Sequence, residues 1–184
     1  MGKVYTEGID SRISEFLLAQ PMFFVATAPT GPDGHVNLSP KGLTGAFAVL
    51  DDWRVAYLDY TGSGAETIAH LRENGRITLM FCAFDGPPKI FRLHGLGTPV
   101  FAAERGFEEL AGHFPGLRRH GLRSIVSVEV GRVSDSCGFG VPLMDYAGDR
   151  DHMATWAEAR TEDDITRYRQ KNNEVSIDGL AALS

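Results

Sequence analysis

The sequence predicts a mainly β fold, a β-barrel with peripheral helices. About seven short runs are rich in β-branched and aromatic residues, whereas few segments have the periodicity of an amphipathic helix. Two turn sequences typical of hairpins, TGPDG at 30–34 and DGPP at 85–88, separate neighbouring runs and favour antiparallel pairing. The chain has 184 residues, of which 43% are hydrophobic, and this length suits one domain with one core.

Each predicted strand is an apolar or alternating run that ends at turn-forming residues. The run from 22 to 28, MFFVATA, is the clearest, because TGPDG follows it directly. The strands are expected at 22–28, 35–39, 43–50, 54–60, 76–84, 89–100 and 124–136.

The predicted helices are short and lie between or after the strands. Asp10 or Ser11 can cap the first helix and Pro21 ends it, while Gly75 is the expected stop of the second. The helices are expected at 11–20, 65–75, 102–114 and 149–171. The whole chain, 1–184, is interpreted as a single domain with a barrel core at 20–142 and a helical extension and tail at 143–184.

Charge and cysteine content limit the function classes. A net charge of −6 gives no general basic field, so we expect no nucleic-acid partner. Cys82 and Cys137 form no paired motif, which favours a reducing, cytoplasmic location. The sequence contains no secretory signal and no apolar run of membrane-spanning length, so no membrane association is expected.

A glycine-rich turn between a strand and a helix is the first candidate binding feature. GSGAET at 62–67 matches a dinucleotide fingerprint only in part, and hairpin-spaced strands around it argue against a Rossmann unit. No Walker sequence occurs in the chain. The helix N-terminus, with hydroxyls of Ser63 and Thr67, could still hold a phosphate. The alternative is that Ser63 only caps the helix.

The segment VNLSPKG, at 36–42, strengthens the interpretation of the turn as an anion site. Lys41 supplies a point charge suited to phosphate, and Pro40 fixes the backbone beside it. The six histidines show no ligand spacing typical of a metal site, so none is predicted.

Three segments together resemble the pyridoxamine 5'-phosphate oxidase-like, FMN-binding split β-barrel family. They are FFVATAPTGPDGHVNLSPKG, the run from VAYLDYTGSGAET to IFRLHGLG, and SIVSVEVGRVSDSCGFGVP. The resemblance covers about residues 20–142. It implies a homodimer with FMN in a cleft between the subunits.

The resemblance also assigns candidate cofactor-binding residues. Ser39 and Lys41 are expected to face the flavin, with Ser63, Gly64 and Thr67 near its phosphate. The turn has SGAET where oxidases of the family have a sequence similar to SRK, so a basic residue from elsewhere is needed. Arg92 is the candidate for that role, and the candidates on the flanking strands are Asn37, Tyr57 and Asp59.

The function implied by the resemblance is an FMN-dependent oxidoreductase acting on a small-molecule substrate, with NAD(P)H as a candidate electron donor. The C-terminal arginine-rich substrate motif of the true oxidase is missing from SIDGLAALS at 176–184, so pyridoxamine phosphate itself is not the expected substrate. Two alternatives stay open. One is an F420- or haem-binding split-barrel protein, and the other is a flavin-binding protein without turnover.

Overall fold

A computed structural model describes residues 2–183, and Met1 and Ser184, the ends of the predicted 1–184 domain, lie outside it. The strands and helices occur in the order β1 (Val4–Tyr5), α1 (Ser11–Ala19), β2 (Met22–Thr27), β3 (Asn37–Gly42), β4 (Phe47–Asp51), β5 (Arg54–Tyr60), α2 (Glu66–Asn74), β6 (Arg76–Cys82), β7 (Ile90–Val100), α3 (Phe107–Ala111), β8 (Leu122–Ser136), α4 (His152–Glu158) and α5 (Glu162–Asn172).

The strands form one antiparallel sheet that curls into a split β-barrel. Its order is β3-β2-β6-β7-β8-β5-β4, and the short β1 pairs with β8 outside this path. Strands β3 and β4 follow each other in the chain but lie at opposite ends of the sheet. The barrel is therefore split between these two strands. The predicted β-barrel fold with few helices is confirmed.

Alternation along the strands fills the barrel interior with apolar side chains. In β2, Phe23 and Val25 point inward, while Phe24 and Ala26 are only partly buried. This period of two is that of a strand with one face on a core. Helix α1 closes the barrel, because its Ile13 and Leu17 belong to the same apolar cluster.

Several boundaries differ from the sequence prediction. The predicted strand at 43–50 begins only at Phe47, because Leu43 adopts a left-handed φ of 77° and Gly45 one of 78°. The predicted helix at 102–114 shrinks to α3, which starts after Gly106 with φ of 92°. The segment at 149–171 forms two helices, since Thr161 starts α5 with its own capping box.

The second helix, α2, matches the prediction at its C-terminus. Gly75 adopts φ of 73° and its N–H donates to the carbonyl of Leu71, so the glycine allows the left-handed cap that ends the helix. Within residues 2–183, no helix is both long enough and apolar enough to span a bilayer.

Candidate flavin-phosphate site

A cavity of about 930 Å³ lies beside the end of β3 and the glycine-rich turn. Six of the residues predicted from the sequence line it, three from β3 and three from the turn and the start of α2. These residues are Asn37, Ser39, Lys41, Ser63, Gly64 and Thr67.

The alternating register of β3 explains why three of its residues share the cavity. Asn37, Ser39 and Lys41 lie opposite Thr27, Val25 and Phe23 of β2, so all three face the inner side of the sheet. Leu38 and Pro40 face outward and are exposed. Alternation places the side chains of Asn37, Ser39 and Lys41 on one face of β3, although Pro40 and Gly42 also border the cavity.

The N-terminus of α2 is free of a side-chain cap. Its N-cap is Ala65, which makes no side-chain hydrogen bond, so the alternative in which Ser63 caps the helix is wrong. Ser63 instead lines the cavity together with Glu66 and Thr67 from the first residues of the helix. Uncapped amides at a helix start carry partial positive charge and can donate to an anion.

Asp59 links β5 to β3 through a buried ion-pair cluster. Its side chain is 1% exposed, and its carboxylate accepts from Lys41 Nζ at 3.1 Å and from Arg123 Nε at 2.8 Å. Arg123 Nη2 donates to the second oxygen at 3.2 Å, which makes the arginine contact bidentate. Ser124 Oγ lies 3.4 Å from the same carboxylate. Two cations facing one carboxylate leave the cluster with a net positive charge.

The cluster keeps Asp59 ionised. Burial alone raises the pKa of the Asp59 carboxyl, but the charges of Lys41 and Arg123 and their hydrogen bonds outweigh it, so the pKa lies below its usual value. Lys41 is 24% exposed in its side chain and lines the cavity. Its ammonium therefore faces both Asp59 and the space where a ligand would lie.

Asn37 stands in a polar chain that leads from the cavity into the protein. Its Nδ2 donates to Thr27 Oγ1 at 3.2 Å and to Thr67 Oγ1 at 3.0 Å, and Ser39 Oγ donates to its Oδ1 at 3.0 Å. Thr27 Oγ1 lies 3.0 Å from Nδ1 of the buried His70. These bonds fix the orientation of the Asn37 amide at the cavity wall.

Three predicted residues are absent from the cavity lining: Asp59, which contacts the lining residues Lys41 and Arg123, and Tyr57 and Arg92, which lie apart from the cluster. Tyr57 is fully buried in the barrel, its hydroxyl has no partner among the described residues, and burial raises the pKa of its phenol well above the usual value. Arg92 donates from Nη1 to Ser136 Oγ at 2.9 Å. Neither Tyr57 nor Arg92 lines the large cavity or the smaller cavity beside it.

The sequence interpretation missed Arg123, the arginine that does reach the cluster. Its side chain is 5% exposed, and it lines the cavity. A charged residue at the start of an otherwise apolar run, LRSIVSV at 122–128, was the available signal. Charged residues are rarely buried without a partner, so such an arginine predicts a carboxylate nearby.

A smaller cavity of about 320 Å³ adjoins the larger one. Leu43, Leu58, Tyr60 and Met153 line both cavities, and Trp156 of α4 lines the smaller one. The two cavities are therefore neighbours that share part of their walls, including the charged residues Asp149 and Arg150.

His120, at the edge of the smaller cavity, joins the β8 side of the barrel to α4 and α5. Its Nδ1 lies 2.6 Å from Glu162 Oε1, and its Nε2 lies 2.7 Å from the Ala157 carbonyl and 3.0 Å from that of Arg160. Both ring nitrogens face acceptors, and only the protonated ring donates from both. The hydrogen bond to Glu162, followed by that to Ala157, raises the pKa of His120.

We expect His120→Gln to lower the melting temperature more at pH 5.5 than at pH 8.5. The folded pKa is raised, so the stabilisation is complete below the unfolded value of about 6.5 and is lost as pH rises through the folded value. Calorimetry at both pH values measures the difference. The matched control is His152→Gln, since His152 is largely exposed. A pH-independent effect at His120 would contradict the prediction.

Fold and site together define a split β-barrel with a cavity lined by Lys41 and Arg123 beside the glycine-rich turn. The family model described as "Pyridoxamine 5'-phosphate oxidase" matches residues 9–137. A curated relative from Aspergillus flavus, the pyridoxamine 5'-phosphate oxidase family protein ustO, is 38% identical over an alignment of 200 positions that covers 98% of this chain and 78% of the relative. The chain therefore belongs to the pyridoxamine 5'-phosphate oxidase family, as the sequence predicted.

Solved structures share the fold at low sequence identity. HupZ from Group A Streptococcus aligns with a TM-score of 0.55 and 20% identity, over 68% of this chain and 91% of HupZ. An FAD-binding protein from Mesorhizobium loti aligns with a TM-score of 0.50 and 13% identity, over 73% of this chain and 95% of that protein. At these identities the likeness supports the split-barrel fold.

Proposed function

We propose that this chain binds FMN and acts as an FMN-dependent oxidoreductase on a small-molecule substrate. The observation that carries the proposal is the net positive cluster of Lys41, Asp59 and Arg123 beside the uncapped start of α2, in a cavity of about 930 Å³. This cavity lies near the upper end of the usual range for small-molecule sites, about 300–1,000 Å³. Membership of the family supports the choice of FMN.

The residues present fit a flavin phosphate. Lys41 would supply the main charge, and Arg123 would neutralise Asp59 so that the charge of Lys41 is not cancelled. Ser63 and Thr67 offer hydroxyl donors at the same end of the cavity, and the N-terminus of α2 offers amides. Arg123 therefore takes the role that the sequence interpretation gave to Arg92.

Bound FMN would supply hydride transfer, and the chain's own residues would position it. Ser39 and Asn37, held in one hydrogen-bonded chain, present polar atoms along the cavity wall. The smaller cavity, with Tyr60 and Trp156 in its wall, provides room for the substrate next to the larger cavity.

We further propose a cytoplasmic homodimer with the cofactor at the interface. The edge strand β3 supports this arrangement, because Val36 and Leu38 at its start are 74% and 63% exposed. Phe139 and Leu143, close in sequence to the cavity wall, are also strongly exposed. Exposed apolar side chains near a site mark an interaction surface. A monomer by light scattering, with FMN bound, would contradict the proposal.

The absorption spectrum of the purified protein tests the cofactor directly. A flavin spectrum, or saturable binding of added FMN, is the expected result. Subsequent bleaching by NADH or NADPH without oxygen, and recovery with an electron acceptor, would indicate turnover. A haem Soret band or the spectrum of F420 would favour the alternative cofactors. A colourless protein that does not bind added FMN would refute the proposal.

A further inference from the structure

The residue that follows helix α5 supports the candidate phosphate site from behind the cavity wall, because it bonds to two residues that line the cavity. Asn173 is fully buried. Its Oδ1 accepts from Arg123 Nη1 at 3.0 Å, and its Nδ2 donates to the Gly62 carbonyl at 3.0 Å. The carbonyl oxygen and the NH2 group of this amide both form hydrogen bonds, so a single side chain connects the buried arginine to the glycine-rich turn.

The turn is fixed at a second carbonyl by the same arginine. Arg123 Nη1 also donates to the carbonyl of Gly64 at 2.8 Å. The carbonyls on both sides of Ser63 are therefore bonded to the protein. Restricting a glycine-rich turn in this way removes conformational freedom that ligand binding would otherwise have to remove.

Neighbouring residues of the C-terminal segment hold both ends of the turn. Before the turn, Arg169 Nε donates to Thr61 Oγ1 at 2.8 Å, and its Nη2 donates to the Leu122 carbonyl at 2.9 Å. After the turn, the carboxylate of Glu66 accepts from the N–H of Ile177 at 3.2 Å. Asn173 lies between these two anchors in sequence, so the segment spans the turn from one end to the other.

We propose that Asn173 is a positioning residue of a phosphate-monoester clamp, with Arg123, Asp59 and Lys41 as the charged part of the clamp. The inference rests on the proposed flavin site. Asn173 holds the guanidinium that neutralises Asp59, and the neutralised Asp59 leaves the charge of Lys41 for the ligand. Asn173 also lies beyond residues 9–137, the part that matches the family model. The clamp is thus completed by the C-terminal segment of this chain.

Asn173→Ala and Asn173→Asp test the clamp through the difference between FMN and riboflavin, which lacks the phosphate. We expect Asn173→Ala to weaken FMN binding about tenfold while riboflavin affinity changes less than about twofold. Asn173→Asp adds a carboxylate that cancels the net positive charge, so its loss of FMN affinity should be larger. The matched control is Asn172→Ala, because Asn172 is exposed and, within residues 2–183, its side chain bonds only to the Tyr168 carbonyl of its own helix.

Hydrogen exchange on the unaltered protein provides a second measurement that does not depend on folding of a variant. FMN, but not riboflavin, should slow amide exchange in the segments 62–66 and 169–177. Equal protection by both flavins, or equal loss of both affinities in Asn173→Ala, would overturn the clamp. If the unaltered protein binds neither flavin, the proposed function fails. The clamp is then tested by thermal shift with inorganic phosphate. Phosphate must raise the melting temperature of the unaltered protein and must leave that of Asn173→Ala unchanged.

Discussion

Replacement of Asp59 by Ala is expected to lower the free energy of unfolding by about 3–5 kcal/mol. The change removes the only carboxylate of the cluster and leaves Arg123, with a side chain 5% exposed, without its bidentate partner. A buried charge that loses its partner costs far more than a surface charge, because water cannot replace the lost contact. Urea unfolding at neutral pH measures the difference. The dependence of the unfolding free energy on urea concentration is compared between variants.

The pH dependence gives this prediction a second, independent readout. Because the folded pKa of Asp59 is lowered, its stabilisation is present above the unfolded value of about 3.9 and is lost as pH falls through the folded value. The stability difference between the unaltered protein and Asp59→Ala should therefore persist from pH 5 to 7 and shrink in more acidic solution.

A surface carboxylate serves as the matched control for Asp59. Asp51 accepts from Arg54 Nε at 2.6 Å, but both side chains of this pair are about half exposed. Asp51→Ala should cost less than about 1 kcal/mol, because surface ion pairs contribute little. Comparable losses for Asp51→Ala and Asp59→Ala would show that the buried cluster has no special role in stability.

The fold could be predicted from the sequence because the local sequence signals agree with the tertiary structure. The hairpin turn at 30–34 separates β2 from β3, and Gly75 stops α2 where a left-handed residue is needed. Ser39 and Lys41, which the family resemblance assigned to the flavin, lie on one face of β3. In each case a few adjacent residues contain the information, so no distant contact was needed.

The centre of the site was harder to predict from the sequence, because its residues come from distant positions in the chain. Arg123 and Asn173 are separated by 50 residues, and Asp59 precedes Arg123 by 64. Tyr57 and Asp59 share a face of β5, yet Tyr57 packs against Phe23 inside the barrel while Asp59 meets Lys41. How deeply a strand residue is buried depends on how the sheet curls, and the alternation of residues in the sequence does not predict it.

Lys41→Ala is expected to weaken FMN binding by about 1.5–3 kcal/mol, the usual value of a charge-assisted contact. Lys41 Nζ has three donors, and the described residues offer it a single side-chain acceptor, Asp59 Oδ1. Because Lys41 lines the cavity, the other two donors are available to a ligand there. Without Lys41, the pair of Asp59 and Arg123 is neutral, so the cluster loses its net charge together with a donor.

Titration calorimetry with FMN and with riboflavin distinguishes a phosphate contact from a general effect on the cavity. The loss in Lys41→Ala should be specific to FMN and should diminish at high salt, because a partly exposed charge is screened. Lys89→Ala is the matched control, since Lys89 pairs with Asp135 at 3.0 Å but does not line the cavity. Unchanged FMN affinity in Lys41→Ala would remove Lys41 from the site. An equal loss for riboflavin would instead place it beside the isoalloxazine ring or the ribityl chain, because both ligands contain these parts.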